Sequence, residues 1–369
     1  MITCIDFKSA NFNKAINLSL ATNNINISSP FENAKFPLVK LGDVLNSIGK
    51  GKRPASFENK NGEIPFYKSS FEIFKCDIAD FDMEAIIIGD GGSANINYIN
   101  GKFSSSDHTY IFTSKSDALS KFIFVLLHSN LEILEQGFKG IAIKNISKNY
   151  INNIKIPLPP LEVQQQIVAE YQNVEKQILN IQQQIQTQKT LINAVLANEQ
   201  GEMKKLKEIC SMKAGKFVPT NEIYETQNEN MYPCFGGNGF RGYSKSFTHE
   251  GVYPIIGRQG ALCGNVHLVK GKFHATEHAV VVTPNQNINV YWLKYKLELM
   301  NLNQYSTGVA QPGLSVNKII EISCKVPPLE AQEKIVQAIN NIEQNINNLQ
   351  TNLENLKLQQ NQILQKYLF

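Results

Sequence analysis

No stretch of this chain approaches the roughly 18 to 20 consecutive apolar residues that a membrane-spanning helix needs, and no apolar run with a basic flank opens it. Helical membrane proteins and exported precursors are set aside on that ground, and the expected compartment is the cytoplasm. The six cysteines, Cys4, Cys76, Cys210, Cys234, Cys263 and Cys324, include no Cys-x-x-Cys pair. That excludes a disulfide framework and a zinc knuckle, so reduced, buried thiols are expected. An excess of one charge is missing as well, 36 Lys and Arg standing against 32 Asp and Glu for a net value of +4. Its distribution says more: residues 36–155 hold 14 Lys and Arg against 13 Asp and Glu, and residues 203–325 hold 14 against 8. Residues 156–202 and 326–369 are weakly acidic, with 2 against 5 and 3 against 4. Phosphate attraction needs local positive potential, so residues 203–325 above all are candidates for a nucleic-acid face.

Catalytic constellations are missing too. His274-Ala275-Thr276-Glu277-His278 spells the pattern of inverted zinc proteases. The apolar run Ala279-Val280-Val281-Val282 that follows reads as a strand. In an extended segment residues i and i+4 lie roughly 13 Å apart, too far to share an ion, so the acid–histidine pair is expected to be a structural hydrogen bond inside the fold. Phe235-Gly236-Gly237-Asn238-Gly239 matches an S-adenosylmethionine loop superficially, but both Pro-Pro pairs precede Leu, and no catalytic Pro-Pro-aromatic loop accompanies it. Asp43 with Glu58 and Lys60 has no second-copy equivalent that would support a nuclease triad. No cofactor and no metal are expected.

What the chain does have is a second copy of itself, at a period of about 168 residues, far beyond the 20 to 50 of a solenoid. Leu41-Gly42-Asp43-Val44 answers Leu206-Lys207-Glu208-Ile209, and Gly51-Lys52 answers Gly215-Lys216. Ile88-Gly89 with Gly92 returns as Ile256-Gly257 with Gly260, and Gly101-Lys102-Phe103 as Gly271-Lys272-Phe273. Asp107-His108 returns as Glu277-His278, and Gly140-Ile141-Ala142 as Gly308-Val309-Ala310. The copies close on Pro159-Pro160-Leu161-Glu162 and Pro327-Pro328-Leu329-Glu330, each followed by Gln and an Ile-Val pair.

Each Pro-Pro-Leu-Glu predicts a helix start, since proline is tolerated where the backbone N–H lacks a partner and Glu suits the positive end of the dipole. Behind the first, Ile167, Tyr171, Val174, Ile178, Ile181, Ile185, Gln188, Ile192 and Val195 alternate steps of four and three. Behind the second run Ile335, Ile339, Ile342, Ile346, Leu349, Leu353, Leu356, Gln360, Ile363 and Tyr367. This is coiled-coil spacing, predicting two helices of roughly 38 to 40 residues, close to 60 Å long. Such helices need partners for their stripes, and an antiparallel pairing of the two is expected. Off-seam Val168, Leu179, Leu191, Leu196, Val336, Leu358 and Leu364 either form a docking face for another protein or pack under the globules. Inside each globule, short apolar runs such as 85–88, 109–112 and 279–282 predict strands. Helical stretches are expected at 119–134 and 290–299.

Two domain-sized repeats, each ending in Pro-Pro-Leu-Glu-x-Gln-x-x-Ile-Val and a long helix, resemble the specificity subunit of type I restriction–modification systems over residues 36–369. In the second globule Tyr232-Pro233-Cys234-Phe235-Gly236-Gly237-Asn238-Gly239-Phe240-Arg241-Gly242-Tyr243 and Ile255-Ile256-Gly257-Arg258-Gln259-Gly260 are similar to segments of that family's target recognition domains. The first globule departs from them, with Phe66-Tyr67-Lys68-Ser69-Ser70 and Gly89-Asp90-Gly91-Gly92 in their places.

The resemblance implies an α+β fold: two mixed α/β target recognition domains separated by two long antiparallel coiled-coil helices, a pseudo-twofold internal repeat. The expected segments are an N-terminal extension 1–35, either a mobile arm or a small helical element, then domains 36–157 and 201–326 and helices 158–200 and 327–369. It also implies partners: double-stranded DNA with a bipartite target, two adenine methyltransferase subunits, and restriction subunits in the full complex, which carry the chemistry. Glycine-rich loops let a backbone approach DNA and present polar side chains. The candidate DNA-reading residues are Asn238, Arg241, Lys245, Arg258 and Gln259 in the second globule, and Lys68, Ser69, Ser70, Asp90, Ser93 and Asn95 in the first. A subunit of a fused nuclease–methyltransferase system is a close variant. The rival from another class is a coiled-coil scaffold whose globules bind protein; charge distribution and the strict repeat favour DNA.

Overall fold

The structure, a computed structural model, describes residues 30–140, 144–260, 262–308 and 312–369. Cys4, residues 1–29 of the expected extension, and Ile141-Ala142 and Val309-Ala310 of the repeated motif lie outside them. The chain divides into two compact units, Met1–Leu179 with Glu354–Phe369, and Asn180–Leu353.

In the first unit strands β1 (Leu38–Lys40), β2 (Leu45–Lys50), β3 (Ile64–Tyr67), β4 (Ile73–Cys76), β5 (Phe81–Gly89), β6 (Ile96–Ser105), β7 (Thr109–Ser114) and β8 (Lys155–Pro157) form two sheets. The larger has the order β2-β7-β5-β6-β3-β4, and β1 pairs with β8. In the second unit the strands are β9 (Glu202–Lys205), β10 (Cys210–Ala214), β11 (Tyr232–Gly236), β12 (Gly239–Ser244), β13 (His249–Gly257), β14 (Val266–Ala275), β15 (Ala279–Pro284) and β16 (Ser323–Val326). They repeat the same plan, β10-β15-β13-β14-β11-β12 with β9 against β16. Even the one parallel junction recurs, β3 beside β6 and β11 beside β14. The sequence repeat is thus a repeat of topology.

The apolar runs are continuous because the central strands are covered on both faces. In β5, Ile86 and Ile88 enter the core under the helices, while Ala85 and Ile87 join Tyr67, Phe103 and Ile111 on the opposite face. In β15, Val280 and Val282 face one core, Ala279 and Val281 the other. Alternation of side chains along a strand makes every residue of such a run apolar.

Helix α1 (Ser120–His128) ends earlier than the 119–134 periodicity predicts, and a separate turn follows at Glu132–Glu135. Asn130 causes the break by donating its side-chain amide to the Leu126 carbonyl at 2.8 Å, which closes the helix end. Two long helices, α2 (Leu161–Ala197) and α4 (Leu329–Leu368), start at the predicted Pro-Pro-Leu-Glu motifs. Helix α3 (Val290–Leu299) occupies its predicted span and is capped by Asn289, whose Oδ1 accepts from Tyr291 and Trp292 N–H.

Within the first unit, Ile167, Tyr171 and Val174 of α2 share a core with Ile363, Leu364 and Leu368 of α4. Lys366 Nζ and Tyr367 OH bind Glu170 at 2.6 and 2.9 Å. Within the second unit, Ile185 clusters with Ile342 and Ile346, and farther along α2 Leu196 clusters with Ile339. Rising numbers on one helix meet falling numbers on the other, so the pairing is antiparallel. Of the off-seam residues, Val168, Leu196, Val336 and Leu364 pack into the cores, whereas Leu179, Leu191 and Leu358 are exposed.

A glutamine locks each long helix to its globule. Gln164, fully buried, accepts from Leu119 N–H at 2.9 Å and donates to the carbonyls of Asp117 and Pro159 at 3.1 and 2.8 Å. Gln332 does the same with Asn289 N–H at 2.8 Å and the carbonyls of Asn287 and Pro327 at 3.2 and 2.8 Å. Residues 30–35, placed by the sequence with the extension, join the first unit. Phe31 is buried in its core, and Lys35 N–H donates to the Leu368 carbonyl at 2.8 Å. The five described cysteines are unpaired and buried.

Candidate nucleic-acid interface

Three strand connections converge at one end of each large sheet, and main-chain hydrogen bonds tie them into the same frame in both units. In the second unit, Thr276 N–H donates to Phe235 O, Arg258 N–H to His278 O, Leu314 N–H to Arg258 O and Gly260 N–H to Pro312 O, all at 2.9 Å. In the first, Ser106 donates to Tyr67, Asp90 to His108, Ile146 to Asp90 and Gly92 to Lys144, at 2.8 to 3.0 Å. Position 90 therefore corresponds to 258, 108 to 278, and 67 to 235. Gly92 and Gly260 have φ of +83° and +88°, a conformation open to glycine at little cost. At Gly257 the reason is space, since a Cβ there would lie 1.9 Å from the Gly237 carbonyl oxygen.

On this frame the second unit presents free polar groups. β11 and β12 meet in a two-residue turn, Gly237-Asn238, because Gly236 pairs with Gly239. Asn238, Arg241 and Gln259 line one pocket together with Gly237, Gly260 and His278. Arg258 lines an adjoining pocket with Gln259, Ser315 and Asn317. Lys245 stands apart from both, over the Tyr224 ring at 5.5 Å. Among the described residues the side chains of Asn238, Arg241, Arg258 and Gln259 make no hydrogen bond or ion pair. Donors fixed on a glycine-rich frame and left unpaired are suited to base edges: Arg to guanine O6 and N7, Asn or Gln to adenine N6 and N7.

The first unit is arranged differently on the same frame. Tyr67 pairs with Ile73, so the β3–β4 connection has five residues. Lys68 is bound by Glu58 at 2.6 Å and lies over the Phe74 ring. Ser69 Oγ donates to the Gly91 carbonyl and accepts from its N–H, at 2.8 and 3.0 Å. Ser70 accepts from Glu72 N–H at 3.0 Å. Asn95, 1% exposed, donates to the Ser93 carbonyl, and Ser93 itself is exposed. Asp90 is buried and holds Lys50 at 2.5 Å; His108 Nδ1 lies 3.4 Å from its other oxygen. The hydrogen bond to Asp90 raises the pKa of Lys50, so the ammonium form is secure. Most residues singled out here in the sequence thus brace the loops, and an exposed cation at this end, Lys50, comes from β2.

Two residues were missed or misread. Lys50 gave no signal because it precedes the glycine-rich motifs. The acid–histidine pair of the second unit is not internal: β14 ends at Ala275, a turn intervenes, and the His278 side chain is 40% exposed beside Glu277 at 3.1 Å. His274 faces inward instead, contacting Ser246 Oγ and the Lys216 carbonyl, both at 3.2 Å. Among the described residues no group of three His, Cys, Asp or Glu is placed to hold a metal ion, and no helix is long and apolar enough to cross a membrane. Burial pushes the Cys234 thiol up, which leaves it unreactive.

A protein-family model for the type I restriction modification DNA specificity domain matches the chain twice, over residues 33–188 and 198–358, and the chain belongs to that family. It is 52% identical over 134 residues to the type I restriction enzyme EcoprrI specificity subunit of Escherichia coli, a match spanning 36% of this chain and 33% of that protein. With the MjaVIII specificity subunit of Methanocaldococcus jannaschii it shares 23% identity over 367 residues, covering 82% of this chain and 85% of the relative. Among solved structures, the S subunit of a type I restriction–modification system from M. genitalium superposes with a TM-score of 0.61 at 16% identity, over 93% of this chain and 98% of that one. A chain from a structural study of assembly and conformational transition of the type I system gives 0.58 at 17% identity, over 92% and 99%. At those identities the likeness is one of fold.

Proposed function

We propose that the chain is the DNA-sequence-specificity subunit of a type I restriction–modification complex, and that it carries no catalytic site of its own. Each globule reads one half of a bipartite target, the long helices set the spacer between the halves, and the same helices dock two adenine methyltransferase subunits. Restriction subunits join in the full complex. The observation that carries this reading is the duplicated loop frame. One set of main-chain bonds holds different side chains in the two globules, as two different half-sites require. The exposed Leu179, Leu191 and Leu358 on the helices offer apolar docking points for a partner.

The experiment is co-expression with a cognate methyltransferase subunit followed by mapping of methylated adenines. The chain alone should methylate nothing and the pair should modify a bipartite motif. Methyl transfer by the purified chain alone would end the proposal.

A further inference from the structure

We infer that Lys50 is the cation with which the first globule contacts the bases of its half-site, the counterpart of Arg258 in the second, and that Asp90 positions it. This rests on the DNA-reading function proposed above and adds to it a residue and a chemistry.

The equivalence of Asp90 and Arg258 follows from the frame: the N–H of each donates to the histidine carbonyl, 108 or 278, and the carbonyl of each accepts from Ile146 or Leu314. Where the second globule carries a guanidinium, the first therefore carries a carboxylate. The neighbouring strand differs in a matching way. Lys50 pairs across the sheet with Tyr110, and Ala214 with Val280. The residues that follow, Gly51 and Gly215, both donate to the start of the adjacent strand, at Thr109 and Ala279. Lys50 thus corresponds to Ala214. The first globule has an acid and a base where the second has a base and a methyl group.

Exposure decides which member of the first pair faces outward. The Asp90 side chain is 8% exposed and that of Lys50 46%. The carboxylate lies beneath, and the ammonium is held above it, also over the Tyr110 ring at 5.2 Å. His108, 63% exposed, stands 3.4 Å from the other carboxylate oxygen, which accepts no hydrogen bond among the described residues. An ammonium has three N–H groups; one is donated to Asp90, and among the described residues the others have no partner. Two fixed donors fit the O6 and N7 acceptors of guanine. Because Asp90 offsets most of the charge, the pair is better suited to directional base acceptors than to a phosphate, whose attraction depends on net charge.

The test uses the full chain in complex with its methyltransferase subunit, on oligonucleotides carrying single base-pair changes in either half-site, over a range of salt. Removing Lys50 alone leaves a buried carboxylate unpaired, so the main variant is Lys50→Met with Asp90→Asn, its fold checked by melting. We expect discrimination at one base pair of the first half-site to fall by about 10-fold or more, with the second half-site and the salt slope unchanged. Lys50→Arg should keep most of the discrimination, and Asp90→Asn alone should lose part of it.

Unchanged discrimination in the folded double variant overturns the inference. So does a uniform loss over all sequences with a salt slope smaller by about one, the mark of a phosphate contact. A loss in both half-sites with a lowered melting temperature overturns it as well, reducing the pair to a structural brace. A wild-type complex with no sequence preference would instead sink the proposed function itself.

Discussion

Replacing Gln332 by Leu tests how the long helix is fixed to the second globule. The amide fills a slot with no solvent access and satisfies three main-chain groups: Asn289 N–H and the carbonyls of Asn287 and Pro327. Each left unpaired costs about 1–3 kcal/mol. Leu recovers part of this through apolar contact, which puts the expected net loss at about 3–5 kcal/mol. For a cooperative unit of 150 to 250 residues, about 1 kcal/mol moves the midpoint by about 2–4 °C. The transition carrying residues 180–353 should therefore fall by about 6–20 °C in calorimetry, and Gln164→Leu should act likewise on the first unit. Gln332→Glu keeps the acceptor for Asn289 but turns a carboxylate oxygen toward two carbonyls. Burial against those oxygens raises its folded-state pKa above the unfolded value of about 4.3. Its penalty is therefore full above the folded pKa and shrinks as pH falls toward the unfolded one. A Gln332→Leu protein that loses less than about 1 kcal/mol would refute the clamp.

Gly257→Ala should separate the β11–β12 turn from the 258–265 loop, since the added Cβ would meet a carbonyl oxygen at 1.9 Å; binding assays should show second half-site discrimination lost and the first retained. Arg258→Ala should cost roughly 1–3 kcal/mol at one base pair of the second half-site, read as the ratio of matched to mismatched affinity. Glu199→Gln should destabilise the second unit by about 3–5 kcal/mol, measured by denaturant unfolding, because buried Lys296 loses its counter-charge and Trp292 Nε1 its acceptor at 2.9 Å. Deleting residues 178–184 together with 346–352 removes one heptad, about 10 Å, from each helix. The gap between methylated half-sites should shorten by about two to four base pairs, at about 3.4 Å each. An active deletion protein with the original gap would refute the ruler.

The period, the helix starts and the central strands were legible because each leaves a pattern in the sequence: the duplicated motifs, Pro-Pro-Leu-Glu with the 3-4 seam, and the apolar runs Ala85-Ile86-Ile87-Ile88 and Ala279-Val280-Val281-Val282. The glutamine after each Pro-Pro-Leu-Glu was visible, but its role was not, because two of its three partners are main-chain groups 43 to 47 residues earlier. The candidate site was legible in the second globule, where Asn238, Arg241 and Gln259 meet in one pocket. In the first it was harder to read. Ser69, Asp90 and Asn95 are polar residues in glycine-rich loops, as readers of DNA would be, yet Ser69 and Asn95 close hydrogen bonds within the loops and Asp90 accepts one from Lys50. Lys50 reaches the same end from another strand, a neighbour that only the folded sheet reveals.

The most direct measurement of the central claim is a methylome of cells carrying this chain with its methyltransferase partner, compared with cells carrying the partner alone. Adenine methylation is expected at a single bipartite motif, two short specified halves separated by a fixed unspecified gap, present only when this chain is expressed. Methylation that is independent of the chain, or a motif with one contiguous specified block, would contradict it.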